Sequence, residues 1–310
     1  MKRFVSKTIY LSLPILVVAI IMEILLRNIP NDYLFKKEYL DKNSSQIETL
    51  ILGNSHSFYG LDPLYFTSNT FNASHISQSL NYDFEILKKY QDKLNNLETI
   101  ILPVSYFTFI GKLEASAESW RVKNYNIYYG MQSSKSLIDY SEVLSNQFNL
   151  NIMRLINHYM HGRTTVTCTQ LGWGTSYNSK NAQSLVETGE IAVMRHTRYD
   201  TESEDYQEIF NENIRILHSI IQWCHENNVK ILLLTLPAFE TYIQHLNLHQ
   251  LNTTIKITNE ICSKYDNCIY ENMLSDTNFV AVDFYDADHL SEIGAAKLSK
   301  RINNDIIGWK

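Results

Sequence analysis

The sequence contains none of the features that mark a repeat protein, a disordered chain or a zinc module. It has no internal repeat, no low-complexity tract and no run of like charges. Its four cysteines include no CxxC pair and no cysteine–histidine spacing, so the sequence signatures of a structural zinc site are missing. With 45% hydrophobic residues among 310, the chain has enough apolar side chains for one large domain or two small ones.

The four cysteines are also too few to form a disulfide framework. Cys262 and Cys268 bracket a short segment between a predicted helix and a predicted strand, and in an oxidising compartment this is the pair that we expect to form a bridge. Together with Cys168 and Cys224 they allow three complete pairings. The alternative is that Cys262 and Cys268 are two buried thiols.

One long hydrophobic segment occurs near the amino terminus, and it runs from Thr8 to Leu26 with Glu23 as its single charge. At ~1.5 Å per residue a helix of this length nearly spans a hydrocarbon layer of ~30 Å. A cleavable signal peptide would end in small residues before a cut site, and Met22 to Arg27 offers none. We therefore expect an uncleaved transmembrane anchor at residues 8–27, with a buried helix of a soluble protein as the alternative.

The charges around this segment predict its orientation. Lys2, Arg3 and Lys7 precede it, whereas Arg27 alone follows closely, so residues 1–7 should be a cytoplasmic tail and the rest should lie on the outer side of the membrane. The chain has 27 basic and 33 acidic residues. Without these four basic residues and Glu23, 23 basic and 32 acidic residues remain, so the predicted exported part has a formal charge of −9. This acidity argues against nucleic acid or anionic lipid as the main ligand.

Beyond a linker at residues 28–46, short apolar segments alternate with longer amphipathic ones. This alternation predicts an α/β fold of parallel strands joined by helical crossovers, in a domain of residues 47–310. The predicted strands are Glu48–Leu52, Thr70–Asn72, Glu98–Val104, Val229–Thr235, Cys268–Glu271 and Phe279–Tyr285. The predicted helices are Ser79–Leu94, Glu204–Asn227, Glu240–Tyr265 and a last helix for which Ser291 is the expected N-cap.

Residues 108–200 interrupt this alternation and are rich in aromatic residues and arginine. An insertion of this kind can form a cap over a substrate groove. Its flat aromatic side chains could stack on sugar rings. Within it, Trp173, Arg195 and His196 are candidate substrate-binding residues. The alternative is ordinary packing for the aromatic residues, and a solvated or salt-bridged surface for the basic pair.

A serine in a tight turn after the first predicted strand is the strongest catalytic candidate. Ser55 follows Gly53-Asn54, and the other end of the domain supplies His289 and Asp286 just after the last predicted strand. A serine hydroxyl becomes a good nucleophile when an imidazole takes its proton and a carboxylate orients that imidazole. In an open α/β sheet Ser55 and His289 would both lie beyond the carboxyl ends of the strands, so their separation in sequence is no obstacle to contact.

Several alternatives stay open at this site. Ser55 can simply cap the next segment, as serines in such turns often do. Asp288 competes with Asp286 as the residue that orients His289, and His56 is an alternative base. The backbone N–H groups of Ser55 and His56 are the candidate donors to a developing oxyanion.

The glycine-x-serine turn near the start of the domain and the aspartate three residues before a histidine near its end resemble the first and last blocks of the SGNH (GDSL-type) hydrolases. The resemblance implies a flavodoxin-like, three-layer, doubly wound parallel sheet, with Ser55 as nucleophile, Asp286 as orienting acid and His289 as base. Asn54 stands where the family usually has aspartate. The segment that begins at Asn72 lacks the family's glycine, and the loop around Ser105 lacks its asparagine. Asn72 and Ser105 are candidate substrate-binding residues.

The divergent pattern is similar to that of membrane-anchored SGNH-like proteins of cell-envelope acylation, such as those of alginate O-acetylation and lipoteichoic-acid D-alanylation. This resemblance implies a serine esterase or O-acyltransferase that acts on acyl groups of a bacterial cell-surface polysaccharide, without a cofactor or metal. The alternative is a non-catalytic partner, or scaffold subunit, of an integral-membrane O-acyltransferase.

Overall fold

The computed structural model describes the backbone of residues 1–309, and their side chains apart from those of residues 2, 3, 5, 6 and 9. The chain divides into two compact units. The first unit is formed by Met1–Lys37 and Ala117–Val166, and the second by Glu38–Ser116 and Thr167–Lys310. Residues 108–200 are therefore divided between the two units.

The second unit contains seven strands, five of which form one sheet and two a separate hairpin. The strands are β1 (Thr49–Ile51), β2 (Thr70–Asn72), β3 (Thr99–Pro103), β4 (Lys230–Thr235), β5 (Cys268–Asn272), β6 (Phe284–Asp286) and β7 (His289–Leu290). The helices are α1 (Lys2–Arg27), α2 (Asp32–Asn43), α3 (Ser55–Gly60), α4 (Leu80–Tyr90), α5 (Val122–Asn124), α6 (Phe148–Leu155), α7 (Leu185–His196), α8 (Glu204–Glu226), α9 (Glu240–Ile243), α10 (Leu248–Cys262) and α11 (Glu292–Gly308).

The sheet has the strand order β2-β1-β3-β4-β5, and every neighbouring pair is parallel. This is the flavodoxin-like order of doubly wound α/β proteins, which confirms the predicted fold class. The order reverses between β1 and β3, so the crevice where such folds bind ligands lies beyond the ends of these two strands. Ser55 follows β1, and Ser105 follows β3.

The strands form where the sequence has short apolar runs, because both faces of a parallel sheet are covered. One core cluster includes Ile51, Ile101 and Leu232 from three adjacent strands, and α11 contributes Leu298 and Ile302 to it. Ser291 caps α11 by accepting a hydrogen bond from the N–H of Gly294, as expected for the last helix. Elsewhere α4 packs against α8, which also contacts β4.

The predicted sixth strand at Phe279–Tyr285 is wrong in most of its length. The N–H of Val280 donates to the carboxylate of Asp283, which folds this segment into a turn rather than a ladder. Val280 and Val282 are about half exposed, so the apolar run does not reflect a buried strand. The strand in this region is Phe284–Asp286, which pairs with β7 as a short antiparallel hairpin outside the main sheet.

The predicted helix at Glu240–Tyr265 is divided into α9 and α10. Asn247 lies between them, and its side-chain oxygen accepts a hydrogen bond from the N–H of Gln250. An asparagine in this role satisfies a helix-terminal donor, so a new helix begins where the apolar pattern alone suggested continuity.

The cysteines of α10 and β5 are joined. Cys262 and Cys268 form a disulfide with their Cα atoms 5.3 Å apart, in agreement with the pairing expected from the sequence. Cys224 is buried within α8, and burial raises the pKa of its thiol.

In the first unit, residues Tyr10–Arg27 of α1 are long and apolar enough to cross a membrane, with a mean hydropathy of 2.1. A signal sequence near an amino terminus has the same properties. The side chains of Lys2 and Arg3, on which the predicted orientation depends, lie outside the described part of the chain.

Candidate active site

Ser55 stands at the first position of α3, directly after a sharp turn. Gly53 has φ +108°, a left-handed conformation that favours glycine, and an added Cβ would lie 2.1 Å from Cγ of Pro103. Asn54 then caps α3 by accepting a hydrogen bond from the N–H of His56 at 3.0 Å. The turn therefore places the Ser55 side chain at the edge of the fold, where it remains partly exposed.

A buried carboxylate holds this turn in place. Oδ1 of Asp83 accepts hydrogen bonds from the N–H of Gly53 and from Nε2 of Gln78, both at 2.6 Å. Burial raises the pKa of Asp83 to about 7 despite these two donors. Asp83 thus connects the start of α4 to the turn that carries Ser55.

The β6–β7 hairpin positions His289. Oδ1 of Asp286 accepts hydrogen bonds from the backbone N–H groups of Asp288 at 3.1 Å and His289 at 2.8 Å. The same oxygen lies 2.9 Å from Nδ1 of the His289 ring. One carboxylate therefore fixes both the backbone of the hairpin and the orientation of the imidazole.

The three residues form a continuous hydrogen-bonded series. Nε2 of His289 lies 2.9 Å from Oγ of Ser55, while Nδ1 of the same ring bonds to Asp286. This is the geometry of a nucleophile, its base and the residue that orients the base. Of the two aspartates that the sequence left as alternatives, Asp286 is the one hydrogen-bonded to the ring.

Asp288 also lies near Nδ1 of His289, and its side chain is fully buried. Its Oδ1 is 3.4 Å from Nδ1 of His289, and its Oδ2 is 3.6 Å from Nε2 of His56 and 3.7 Å from Nδ1 of His196. Among the described residues, neither oxygen makes a hydrogen bond. Asp288 is therefore a buried carboxylate whose neighbours are three imidazole rings.

These charges affect the three histidines differently. Burial by itself would lower the pKa of His289, but Asp288 and Asp286 together raise it to about 10. Burial outweighs the attraction of Asp288 at the other two rings, lowering the pKa of His196 to about 3 and that of His56 below its ordinary value. His289, unlike its two neighbours, is held in the charged form at neutral pH.

The same cluster has atoms that a metal ion could use. His56, Asp288 and His289 each offer one ligand atom, and these atoms lie within 4.8 Å of one another. A metal bound there would compete with Asp286 or Ser55 for a ring nitrogen of His289. Metal binding would therefore oppose the serine chemistry rather than assist it.

The two predicted oxyanion donors have different environments. The N–H of His56 already donates to the cap residue Asn54, whereas the N–H of Ser55 is at a helix position that has no intrahelical acceptor. Ring atom Nδ1 of His56 lies 2.8 Å from Oγ of Ser105. Ser105, although buried, thus contacts the residue that follows Ser55.

Three stacked tyrosines lie beside His289. Tyr177 lies between Tyr59 and Tyr285, with ring centroids 3.7 Å and 3.9 Å away. The ring of Tyr177 is also 5.2 Å from that of His289 in an edge-to-face arrangement. Tyr177 and Tyr285 are partly exposed, so the stack gives the site an aromatic wall.

The other predicted substrate-binding residues have varied positions. Asn72 is fully buried, and its Nδ2 donates to the carbonyl oxygens of Ser57 and Leu61, contacts that favour a structural role. Nε1 of Trp173 donates to the carbonyl of Tyr59 at 2.7 Å. Arg195 is exposed at the end of α7. Their roles in binding substrate stay predictions.

His196 lies within the cluster, where its Nδ1 is 3.1 Å from the hydroxyl of Tyr242 and its ring stacks on Phe107 at 4.1 Å. Sequence reasoning missed Phe107, Asp83 and the tyrosine stack. The aromatic content of the insertion was a signal for Tyr177, but no local pattern indicated that Asp83 would bind the turn of Gly53. These contacts join segments far apart in the chain.

No protein-family profile matches this sequence, and no curated protein matches it significantly. Among solved structures, a candidate platelet activating factor from Streptococcus pneumoniae is similar over 96% of this chain and 99% of its own, with 13% identity and a TM-score of 0.45. A candidate acylhydrolase from Bacteroides fragilis covers 87% of this chain and 95% of its own, with 10% identity and a TM-score of 0.39.

The acetyl xylan esterase AlAXEase is similar over 83% of this chain and 99% of its own, with 13% identity and a TM-score of 0.40. At such identities and scores, none of these likenesses bears on what this protein acts on.

Proposed function

We propose that this protein is a serine enzyme of the SGNH type that cleaves or transfers ester-linked acyl groups. The observation that carries the proposal is the hydrogen-bonded series from Ser55 through His289 to Asp286. Its nucleophile follows β1, at the edge where the strand order of the sheet reverses and where folds of this class bind ligands.

In this mechanism the neutral ring of His289 takes the proton of Ser55 as Oγ bonds to the acyl carbonyl carbon. The N–H of Ser55 faces the oxyanion of the resulting intermediate. Collapse breaks the ester C–O bond, and His289 returns the proton to the leaving oxygen. Water or a sugar hydroxyl then gives its proton to His289 and attacks the acyl-serine. The acyl–Oγ bond breaks, His289 returns the proton to Oγ of Ser55, and a free acid or a new ester is released. Asp286 orients the imidazolium in both steps.

We assign the substrate to acylated polysaccharides of the bacterial cell surface. Tyr285, the partly exposed outer ring of the tyrosine stack, supports this, because the flat face of an aromatic ring packs well on the apolar face of a sugar. The length and apolar composition of α1 support a single-pass anchor. The basic residues Lys2, Arg3 and Lys7 before it support an amino terminus in the cytoplasm. The enzyme would then work on the outer side of the cytoplasmic membrane.

A second candidate function is that of a non-catalytic partner for an integral-membrane O-acyltransferase. The engagement of the His56 N–H by Asn54, and of the Asn72 amide by two carbonyls, favours it. Because the His56 N–H and the Asn72 amide already donate elsewhere, the N–H of Ser55 is the remaining one of these three candidate donors to the oxyanion. Loss of one such donor costs ~2.7–4 kcal/mol in a serine hydrolase, so a site with few donors would be slow.

A fluorophosphonate probe separates the two functions. An activated Ser55 should be labelled in the native protein and not in Ser55→Ala. Ser275→Ala, which removes an exposed serine with no role in the site, should be labelled like the native protein. If the native protein resists the probe but isolates together with an integral-membrane O-acyltransferase, the scaffold function replaces the enzyme.

The proposed topology has its own test. Protease added to spheroplasts should digest the domain beyond Arg27. Complete protection of that domain would contradict the proposed orientation.

A further inference from the structure

The first unit exposes an unusual helix. Helix α6 and its π-helical continuation, Ile156–Met160, are exposed at Met153, Ile156 and Met160, spaced as one helical face. The opposite side carries polar contacts. A helix on the surface of a soluble protein normally has the reverse arrangement, with its apolar face turned inward.

The polar residues of α6 turn inward because they serve a buried carboxylate. Nη1 of Arg154 donates to Oε2 of Glu142 at 2.7 Å, and Nζ of Lys123 donates to the same oxygen at 2.9 Å. Buried Asn151 donates to the backbone carbonyls of Glu142 and Val143. These cations hold the pKa of Glu142 below its ordinary value even though burial would raise it. The inverted helix is therefore fixed by its polar side.

The exposed apolar surface extends beyond α6. Six of its large apolar residues each expose between 49% and 82% of their area. Soluble proteins rarely leave large apolar patches uncovered. The six residues are Leu137, Leu144, Phe148, Met153, Tyr159 and Met160. In addition, no aspartate or glutamate occurs between Glu142 and Glu187, although the chain as a whole is acidic. The part of this surface from Val143 to Met160 thus has no negative side chain that would be repelled by phosphate groups, and Asp139, near Leu137, lies outside that part.

Contacts within the first unit attach this surface to one end of α1. The carboxylate of Glu23 accepts hydrogen bonds from Oγ of Ser141 at 2.8 Å and from the N–H groups of Glu142 at 3.0 Å and Val143 at 2.9 Å. The hydroxyl of Tyr159 donates to the carbonyl of Leu25 at 3.0 Å. Glu23, the single charge of the apolar segment, therefore fixes residues 141–143 at the last turns of α1, and Tyr159 fixes the continuation of α6 there.

We propose that residues 137–160 form a membrane-seated platform, whose apolar face lies in the bilayer interface at the Arg27 end of α1. The occupant of this face is lipid. The proposal rests on the anchoring of α1, because continuity with that helix sets the depth of the platform. An interfacial helix buries its apolar face at the boundary of head groups and acyl chains, which suits side chains such as Met153 and Met160.

The test is photo-crosslinking of the full-length protein in vesicles of phosphatidylcholine and phosphatidylglycerol at a 3:1 ratio. A fraction of the phosphatidylcholine carries a diazirine within its acyl chain, and crosslinked peptides are identified by mass spectrometry. We expect lipid adducts on residues 10–27 and also on residues 148–160. Adducts on residues 10–27 without any on residues 148–160 would overturn the platform and leave the anchor intact. Absence of both would overturn both.

Variants connect the adducts to the exposed face. Met153→Lys combined with Met160→Lys should reduce adducts on residues 148–160 at least fivefold and leave those on residues 10–27 unchanged. The matched control combines Ile191→Lys and Met194→Lys, two exposed apolar residues of α7 in the second unit, and should change neither set. Equal adducts in the Met153/Met160 variant and the native protein, with circular dichroism unaltered, would also overturn the platform.

Discussion

Oδ1 of Asp288 lies 3.4 Å from Nδ1 of His289, but the carboxylate that is hydrogen-bonded to that nitrogen is Asp286. The ring therefore has one carboxylate that orients it and a second that acts through charge alone. Because two negative groups flank a single imidazole, its charged form is favoured, and the ring must lose its Nε2 proton before it can accept the proton of Ser55.

This relationship predicts the pH dependence of activity. The base form of His289 increases as pH rises towards its raised pKa, so kcat/KM for a small ester should rise with pH, with an apparent pKa above the ordinary 6.5. Asp288→Asn removes one negative charge and should move this limb to lower pH by about one to three units. Asp305→Asn, an exposed acid outside the site, is the control. An unchanged limb in Asp288→Asn would contradict the charge effect.

The hydrogen-bonded series predicts non-additive losses. Ser55→Ala and His289→Ala should each lower turnover of p-nitrophenyl acetate by about a thousandfold or more, and the double variant should be no worse than either, since the two residues act as a unit. Asp286→Asn should cost less if that residue only orients the ring. Steady-state rates of purified variants measure this, and wild-type activity in Ser55→Ala would reject the serine mechanism.

The tyrosine stack predicts an effect on large substrates. Tyr285→Ala should raise KM for an acylated polysaccharide about tenfold, because an aromatic contact worth ~1 kcal/mol or slightly more is lost. The kcat/KM for p-nitrophenyl acetate should stay near that of the native protein. Tyr285→Phe keeps the ring and removes only the hydroxyl that contacts Gln183, so it is the matched control. Equal losses on both substrates would show that the stack is only structural.

Asp83 predicts a pH dependence of stability. Its pKa in the folded protein is raised to about 7 from an ordinary 3.8, so the folded state holds a proton that the unfolded state has released, and the free energy of unfolding falls as pH rises between these values. Asp83→Asn keeps an acceptor oxygen for Gly53 and removes the charge. The variant should be more stable above pH 7, by roughly 4 kcal/mol at most.

Urea unfolding at pH 5 and pH 8 measures this difference, with Asp92→Asn, an exposed aspartate, as the control. The same decline with pH in Asp83→Asn as in the native protein would show that another group causes it.

The disulfide predicts a modest stabilisation. Replacing both Cys262 and Cys268 with serine should lower the free energy of unfolding by about 2 kcal/mol, because the bridge closes a loop with a sequence separation of 6. A reducing agent should destabilise the native protein by a similar amount and leave the double variant unchanged. Intact mass spectrometry of exported protein should show two hydrogens fewer than the reduced form, and alkylation of both thiols in that protein would contradict the bridge.

Much of the second unit was predictable because it depends on local pattern. The five strands of the main sheet follow short apolar runs, and α11 begins at a serine cap with an acidic first turn. The pairing of Cys262 with Cys268 followed from their short separation and their flanking elements. The predicted strand at Phe279–Tyr285 was wrong because Asp283 closes a turn there, a competition that hydrophobicity alone does not show.

By itself, the sequence determined that Ser55, Asp286 and His289 are the candidate residues for this chemistry, since residue type and spacing are local properties. Only the tertiary structure decided that Asp286 rather than Asp288 bonds to the ring, that Asp288 is surrounded by three histidines, and that Asp83 holds the turn of Gly53. Each of these contacts joins distant segments or chooses between neighbours that differ by an ångström or less. Distances of that kind are set by packing of the whole domain, which no local pattern encodes.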